Sequence, residues 1–498
     1  MKKPENNEPK IINQEIERMT TNVKKDGKMT NYRWAICAML FFATTVNYMD
    51  RQVLSLTWKD FIAPEFHWTN NDYGTITALF SILYAFSMLF AGKFIDWLDT
   101  KKGYLWAIGV WSVGACLHAF CGIATAGITT GNWTLSFSGA LDSIAVVSDV
   151  SKIVTVSVSV FIFARFVLAL GEAGNFPAAI KVTAEYFPKK DRAFSTSIFN
   201  AGATVGALIA PVTIPFIAKA YGWEMAFIMI GALGFIWMGF WVLVYKKPEI
   251  HPKVNAQELD YILQDNEEIQ EKSLPAKKIS FAQAFKYKQT WAFALGKFMT
   301  DGVWWFYLFW TPAYLSSVYG LDSTKSAPQI FVLYAITMLS IVGGWLPTYF
   351  VEKKGMNPYD GRMKSMLIFA FFPLLALLAQ PLGPISVWIP VVIIGIAGAA
   401  HQAWSANIFS TIGDMFPKYA IATITGIGGM AGGVGSFLIN KSSGALFDYA
   451  QNTKMKLFGF EGIESGYLII FSICAVAYLI GWLIMKSLVP KYKLITDL

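Results

Sequence analysis

The chain runs to 498 residues, of which 55% are hydrophobic and 15% charged; soluble domains carry about 25% charged residues, so this is a polytopic membrane protein and not a soluble one. Its net charge of +8 is scattered as lysines and arginines between apolar runs, which fits topology signals and argues against nucleic-acid binding. Cys37, Cys116, Cys121 and Cys474 lie in or beside apolar runs and read as small buried hydrophobes, not as a disulfide framework or a metal site.

Residues 1–32 are polar and read as a loose cytoplasmic tail. No short apolar segment with a small-residue cleavage site precedes Trp34, so no cleaved signal peptide is expected. Apolar runs of about 20 residues then predict twelve spans. Their approximate limits are 33–56, 73–98, 103–124, 153–177, 192–220, 223–245, 290–319, 327–352, 364–382, 385–413, 420–448 and 464–487. Lys93, Lys101 and Lys102 follow span two, Lys189, Lys190 and Arg192 span four, Lys246 and Lys247 span six, and Lys353, Lys354, Arg362 and Lys364 span eight. The alternate loops are poorer in such charges, so the even-numbered loops and both tails are expected on the cytoplasmic side.

Residues 246–289 are charged, carry prolines and show a short helical pattern at Ala256–Glu268. They read as a cytoplasmic linker between a first six-helix bundle, 33–245, and a second, 290–488, with a cytoplasmic tail at 489–498. Residues 124–152, rich in Ser, Thr and Gly, read as an outward insertion. An internal repeat supports the two halves. Tyr84-Ala-Phe-Ser-Met-Leu recurs as Tyr334-Ala-Ile-Thr-Met-Leu, an offset of 250, and Phe187-Pro-Lys recurs as Phe416-Pro-Lys, an offset of 229. The difference of 21 is close to the extra length of the 124–152 loop. Repeated bundles of this kind place a substrate site near the midplane, between the halves.

In span one, Asn47-Tyr48-Met-Asp50-Arg51 sets an acid and a base side by side in an apolar helix. Arg51 offers a planar fork that fits a carboxylate, and Asp50 can carry a proton; the plainer alternative is a helix-end charge pair. Span two supplies Tyr84, either a ligand or an interhelical hydrogen-bonding residue. In span four Arg165 and Glu172 are seven residues apart, about two turns or 10 Å along one helix face. Charges at bilayer depth normally face a bundle interior or a wet cavity, so the two form either a structural ion pair or a substrate and proton site. Two intramembrane arginines balanced by two acids suggest an anionic substrate coupled to protons. Span seven reads Asp301-Gly-Val-Trp304-Trp305-Phe-Tyr307-Leu-Phe-Trp310-Thr-Pro312, whose aromatics form either an interface belt or a wall for a sugar ring. Span ten carries His401-Gln402-Ala-Trp404-Ser405; His401 equals Glu172 plus 229, opposite it in the repeat. Span eleven, Thr425–Gly435, is glycine-rich and suits close packing and bending. It lacks the strand-to-helix context of a nucleotide loop.

Gly92-Lys-Phe-Ile-Asp96 after span two resembles the loop motif of the major facilitator superfamily, with Trp97 where a basic residue is usual. NYMDR in span one and R-x6-E in span four resemble the anion:cation symporter family. DGVWWFYLFWTPAYL, HQAWSANIFSTIGDMFPK and ATITGIGGMAGGVG resemble its hexuronate branch, and the likeness covers about residues 33–488. The resemblance implies an all-α membrane protein of twelve transmembrane helices in two six-helix halves, the major facilitator fold. It implies that Arg51 and Arg165 hold the substrate carboxylate, that Asp50 and Glu172 take protons, and that Tyr84 lines the sugar-acid site. With Tyr48, Tyr307, His401, Gln402 and Trp404 these are the candidate substrate contacts; Gly92 and Asp96 are conformational candidates. Some members use a glutamine that falls here at Ala203 and an asparagine that falls near Gly428–Gly429, so the pattern that reads hydroxyls differs. The expected protein imports a hexuronate such as glucuronate or galacturonate with protons, as a functional monomer in the inner (plasma) membrane. It is expected to catalyse no covalent reaction and to use no cofactor or metal. Alternatives are a carrier for an aldonate, aldarate or other organic anion, or a transporter-like sensor.

Overall fold

The computed structural model describes residues 28–264 and 279–495. The expected tail over 1–27, the linker over 265–278, including the end of the expected helix at Ala256–Glu268, and the last residues 496–498 lie outside the described residues. Twelve helical spans follow in order. The first six are Arg33–Thr57, Asn70–Leu98, the bent pair Thr100–Ala119 and Cys121–Thr130, Val150–Tyr186, Lys189–Tyr221 and Trp223–Val244. The second six are Lys288–Tyr319, Ala327–Lys354, Pro358–Leu382, Trp388–Met415, Lys418–Asn452 and Ile463–Leu488. Eight of them are long and apolar enough to cross a membrane by themselves, and the bent span three, turned by 53°, makes a ninth. Spans one, seven and eleven fall short. Asn47, Asp50 and Arg51 interrupt the first, Lys297 and Asp301 the second, and a glycine and polar series the third. Spans one and seven thus fall short where they carry ionisable residues into the bundle interior, whereas span four holds Arg165 and Glu172 within a run that still passes.

The 229-residue repeat is a repeated corner. Phe187 ends span four in an extended conformation (φ −128°, ψ 132°), and Pro188 opens span five. Phe416 (φ −111°, ψ 148°) and Pro417 do the same between spans ten and eleven. A residue before proline is pushed out of the α region, and proline tolerates a helix start, so the Phe-Pro pair makes a sharp turn at the same place in each half. The insertion 124–152, expected to face outward, is largely helical: it finishes span three and adds Phe137–Ala145.

The halves meet through span two against span eleven, span five against span eight, and span one against span seven. At the end remote from the termini they are bolted together. Asp448 of span eleven accepts hydrogen bonds from the Asn70 N–H (3.0 Å), the Asn70 side-chain amide (2.8 Å) and the Asn71 N–H (2.7 Å). Lys441 Nζ donates to Asn71 and Thr75, each at 2.7 Å. Asp60 accepts from Ser316 at 2.9 Å and from the Ser323 N–H at 2.7 Å. At the opposite end, Glu258 of linker helix Ala256–Leu263 caps span one, accepting from the Tyr32 N–H (2.8 Å), the Arg33 N–H (2.9 Å) and the Arg33 guanidinium (3.2 Å). The helix Ala256–Leu263 is thereby tied to the first half.

Candidate functional site

Two close helix approaches set the site. A Cβ on Gly171 would lie 2.2 Å from the Trp111 backbone nitrogen, and one on Gly206 would lie 2.4 Å from the Thr45 carbonyl oxygen. Glycine therefore lets span four press on span three and span five on span one, and beside these seams Arg51, Arg165 and Glu172 lie in one buried cluster. Glu172 is the last residue of the helix Val150–Glu172, just before a break at Ala173–Gly174.

The ion pair in the cluster joins two helices. Arg51 donates from Nε (3.0 Å) and Nη2 (2.7 Å) to Glu172 Oε2, and the two side chains are 5% and 0% exposed. Of the two alternatives for Arg165 and Glu172, the structural ion pair along one helix gives way here, since Glu172 pairs with Arg51. Arg165 Nε and Nη1 are buried without a hydrogen-bond partner, and its guanidinium lies 5.1 Å from the centre of the Phe80 ring. Arg51 is walled by Tyr84 (4.6 Å), Trp305 (5.1 Å) and Tyr48 (5.2 Å). Both carboxylate oxygens of Asp50, both polar atoms of the Asn47 side chain and Glu172 Oε1 are likewise buried and unbonded. Asp50 lies within electrostatic reach of Glu172 and Arg165. A buried guanidinium with unused donors, beside polar atoms with unused bonds, is an environment that an anion with hydroxyls would complete.

The second half contributes differently. His401 stacks flat on Trp304 (5.3 Å, 3°), and its Nδ1 is 2.7 Å from the Tyr478 hydroxyl. Gln402 is half-buried. Trp404 is fully buried, edge-on to Tyr478, and Tyr307 is buried with its hydroxyl against the Cys474 thiol. Neither of these joins the ring around Arg51, where span seven sends Trp305. Trp305 reads in the sequence as one of the span-seven aromatics of a belt or sugar-ring wall and is not among the candidate contacts, and Lys297, whose Nζ lies 2.7 Å from Asp301 Oδ2, has no role there. The signal was available: Lys and Asp four apart in an apolar run argue as Arg165 and Glu172 do. Gly92 and Asp96, expected in a turn, lie in the last turns of span two; Asp96 pairs with Lys181 at 2.9 Å, and open space surrounds a Cβ built on Gly92. Among the described residues no group of three or more His, Cys, Asp or Glu could hold a metal ion.

Known proteins resemble the chain along most of its length. The hexuronate transporter of Escherichia coli K12 is 28% identical over 469 residues, covering 93% of this chain and 95% of that one. The galacturonate transporter of Dickeya chrysanthemi is 28% identical over 331 residues, 66% of this chain and 86% of that one. A probable galactarate/D-glucarate transporter of Escherichia coli K12 is 23% identical over 432 residues, 84% of this chain and 88% of that one. Among solved structures, the inward-open xylose transporter XylE from E. coli matches with a TM-score of 0.63 at 14% identity, covering 90% of this chain and 96% of that one. The unoccupied inward-facing bacterial homolog of the human lysosomal transporter Spinster matches with a TM-score of 0.64 at 18% identity, covering 93% and 98%. The model of the Major Facilitator Superfamily matches residues 40–440, and with twelve spans in two repeated halves this chain belongs to that superfamily of multi-pass membrane proteins.

Proposed function

We propose that the protein imports a hexuronate by proton symport through alternating access. The observation that carries this reading is the unpartnered Arg165 guanidinium beside an Arg51 already paired with Glu172. Arg165 attracts the carboxylate first. Arg51 follows when that carboxylate competes with Glu172 for its fork, and Glu172, losing its partner while buried, takes a proton. Asp50 is the second proton acceptor. Tyr48, Tyr84 and Trp305 wall the sugar, and His401 and Gln402 face it from the other half. More than one proton per monoanion would make uptake respond to membrane potential. The loop charges set both termini in the cytoplasm, the membrane is the inner (plasma) membrane, and the working unit is a monomer. The names of the hexuronate and galacturonate transporters support a uronate, and the galactarate/glucarate relative supports an aldarate as the second reading. Uptake of labelled glucuronate, galacturonate, an aldonate, an aldarate and glucose into proteoliposomes, with and without a pH gradient, tests this. Equal competition by glucose and glucuronate would remove the anion reading; uptake indifferent to the gradient would remove the proton.

A further inference from the structure

The Lys297–Asp301 pair stands outside the roles given above. The two side chains are 6% and 15% exposed. Asp301 is pressed against span eleven at Gly432, where a Cβ would come within 2.2 Å of its Oδ2, and the Lys297 ammonium lies 4.2 Å from the centre of the Phe409 ring.

Span seven relates this pair to the arginines. Phe309, Trp305 and Asp301 are spaced by four residues, so they follow one another on one helix face about 6 Å apart. Phe309 packs on Phe80, the ring under Arg165, at 6.1 Å, and Trp305 is the ring at Arg51. Asp301 is therefore the next step along the same wall, on the far side of Arg51 from Arg165. A six-carbon sugar acid is about as long as one helical turn is high. Anchored by its carboxylate at the arginines, it brings its far end level with Asp301.

The charges at this depth then settle what that far end meets. Apart from Arg33 at the end of span one, the buried cations among the described residues are Arg51, paired with Glu172, Lys297, paired with Asp301, and Arg165, which has no hydrogen-bonded acid partner. We propose that the Lys297–Asp301 pair is a charge-selectivity device: it keeps the far end of the site neutral, admits a sugar acid with one carboxylate, and rejects an aldaric acid with one at each end. A second carboxylate would meet the like charge of Asp301 and find the ammonium engaged, which is selection by an added repulsive element. The inference rests on the reading of the arginine cluster as a sugar-acid site.

Calorimetry on the purified protein compares glucuronate, glucarate and a glucarate monomethyl ester, which keeps the open chain and removes one charge. On the wild type the ester binds at least about tenfold more tightly than the free diacid. In Asp301→Asn, which frees Lys297, the ratio narrows to about threefold or less, and Asp301→Glu restores it. A wild type that takes the diacid as well as the ester overturns the proposal, and this comparison needs no variant to fold. An unchanged ratio in a folded Asp301→Asn overturns it too. If the wild type binds neither glucuronate nor the ester, the sugar-acid reading itself falls and carries the proposal with it; if glucuronate binds and only the ratios fail, that reading stands alone.

Discussion

Arg51 and Glu172 lie 121 residues apart in the chain, yet both Nε and Nη2 of the arginine reach a single oxygen, Glu172 Oε2. That asymmetry separates the two arginines. Arg165→Gln removes the guanidinium with unused donors and breaks no ion pair, so it should abolish measurable sugar-acid binding with little change in melting temperature. Arg165→Lys should also weaken binding severely, since a point charge replaces a fork. Arg51→Gln strands a fully buried Glu172, and breaking a buried pair costs about 3–5 kcal/mol, so its melting temperature should fall markedly. Thermal unfolding in detergent beside calorimetry checks this; equal destabilisation by Arg165→Gln and Arg51→Gln would undo the distinction.

Glu172→Gln mimics the protonated acid. Its amide still fills the end of span four, while Arg51 is released for the substrate. The variant should bind and exchange sugar acid across the bilayer, and its accumulation on a proton gradient should fall well below that of wild type, because the proton on Glu172 no longer assists the substrate. Counterflow and gradient-driven uptake on the same vesicles read both quantities. If the variant accumulates substrate as wild type does, Glu172 is only the structural partner of Arg51, and Asp50 is the next place to look for the proton.

Period and length of the apolar runs carried the twelve spans, and the Phe-Pro repeat carried the duplication, because both arise from local backbone rules. The chemistry-bearing residues Asp50, Arg51, Arg165 and Glu172 were also legible, since an ionisable group in an apolar run has few bland explanations. Their pairing was not. Helix spacing puts Arg165 and Glu172 on one face, but which guanidinium reaches Glu172 depends on how spans one and four sit against each other, a tertiary relationship that local spacing does not encode. Trp305 was hidden for a related reason: among many aromatics in span seven, only the contact with Arg51 distinguishes it from the buried Tyr307.

Glu65, in the short helix Ala63–Phe66 beyond span one, should make the remote end pH-sensitive. Burial pushes its carboxyl up to about 7, against the hydrogen bond from the Trp223 indole, while the nearby Glu224 charge adds to the rise. A carboxyl raised in the folded state stabilises the fold most below its unfolded value of 4.5, and that contribution is lost as pH climbs through about 7. The wild type should therefore lose thermal stability relative to Glu65→Gln as pH rises from about 5 to 8. A constant difference between the two across that range would mean that Glu65 does not titrate there.

Asp448 caps a helix that belongs to the other half. Asn70 and Asn71 are the first residues of span two, where backbone N–H groups have no acceptor within their own helix and the helix end carries partial positive charge. A carboxylate from span eleven supplies both needs, so separating the halves at this end breaks at least two charge-assisted bonds and leaves water to replace them. Under the proposed topology this is the outer end, and the bond holds it closed. Asp448→Ala should shift the balance toward an open outer end by about 2–3 kcal/mol, a change of roughly 30- to 160-fold in the conformer ratio. Spin labels at Asn132→Cys and Asn452→Cys, one at the remote end of each half, read the separation by pulsed electron resonance. The Ala variant should add a longer-distance population that the wild type lacks, and binding at the arginines should persist because the partners of Asp448 are Asn70 and Asn71 and not the residues of the arginine cluster. A distance distribution unchanged from wild type would show that Lys441 with Asn71 and Thr75, and Asp60 with Ser316 and Ser323, hold this end shut without Asp448.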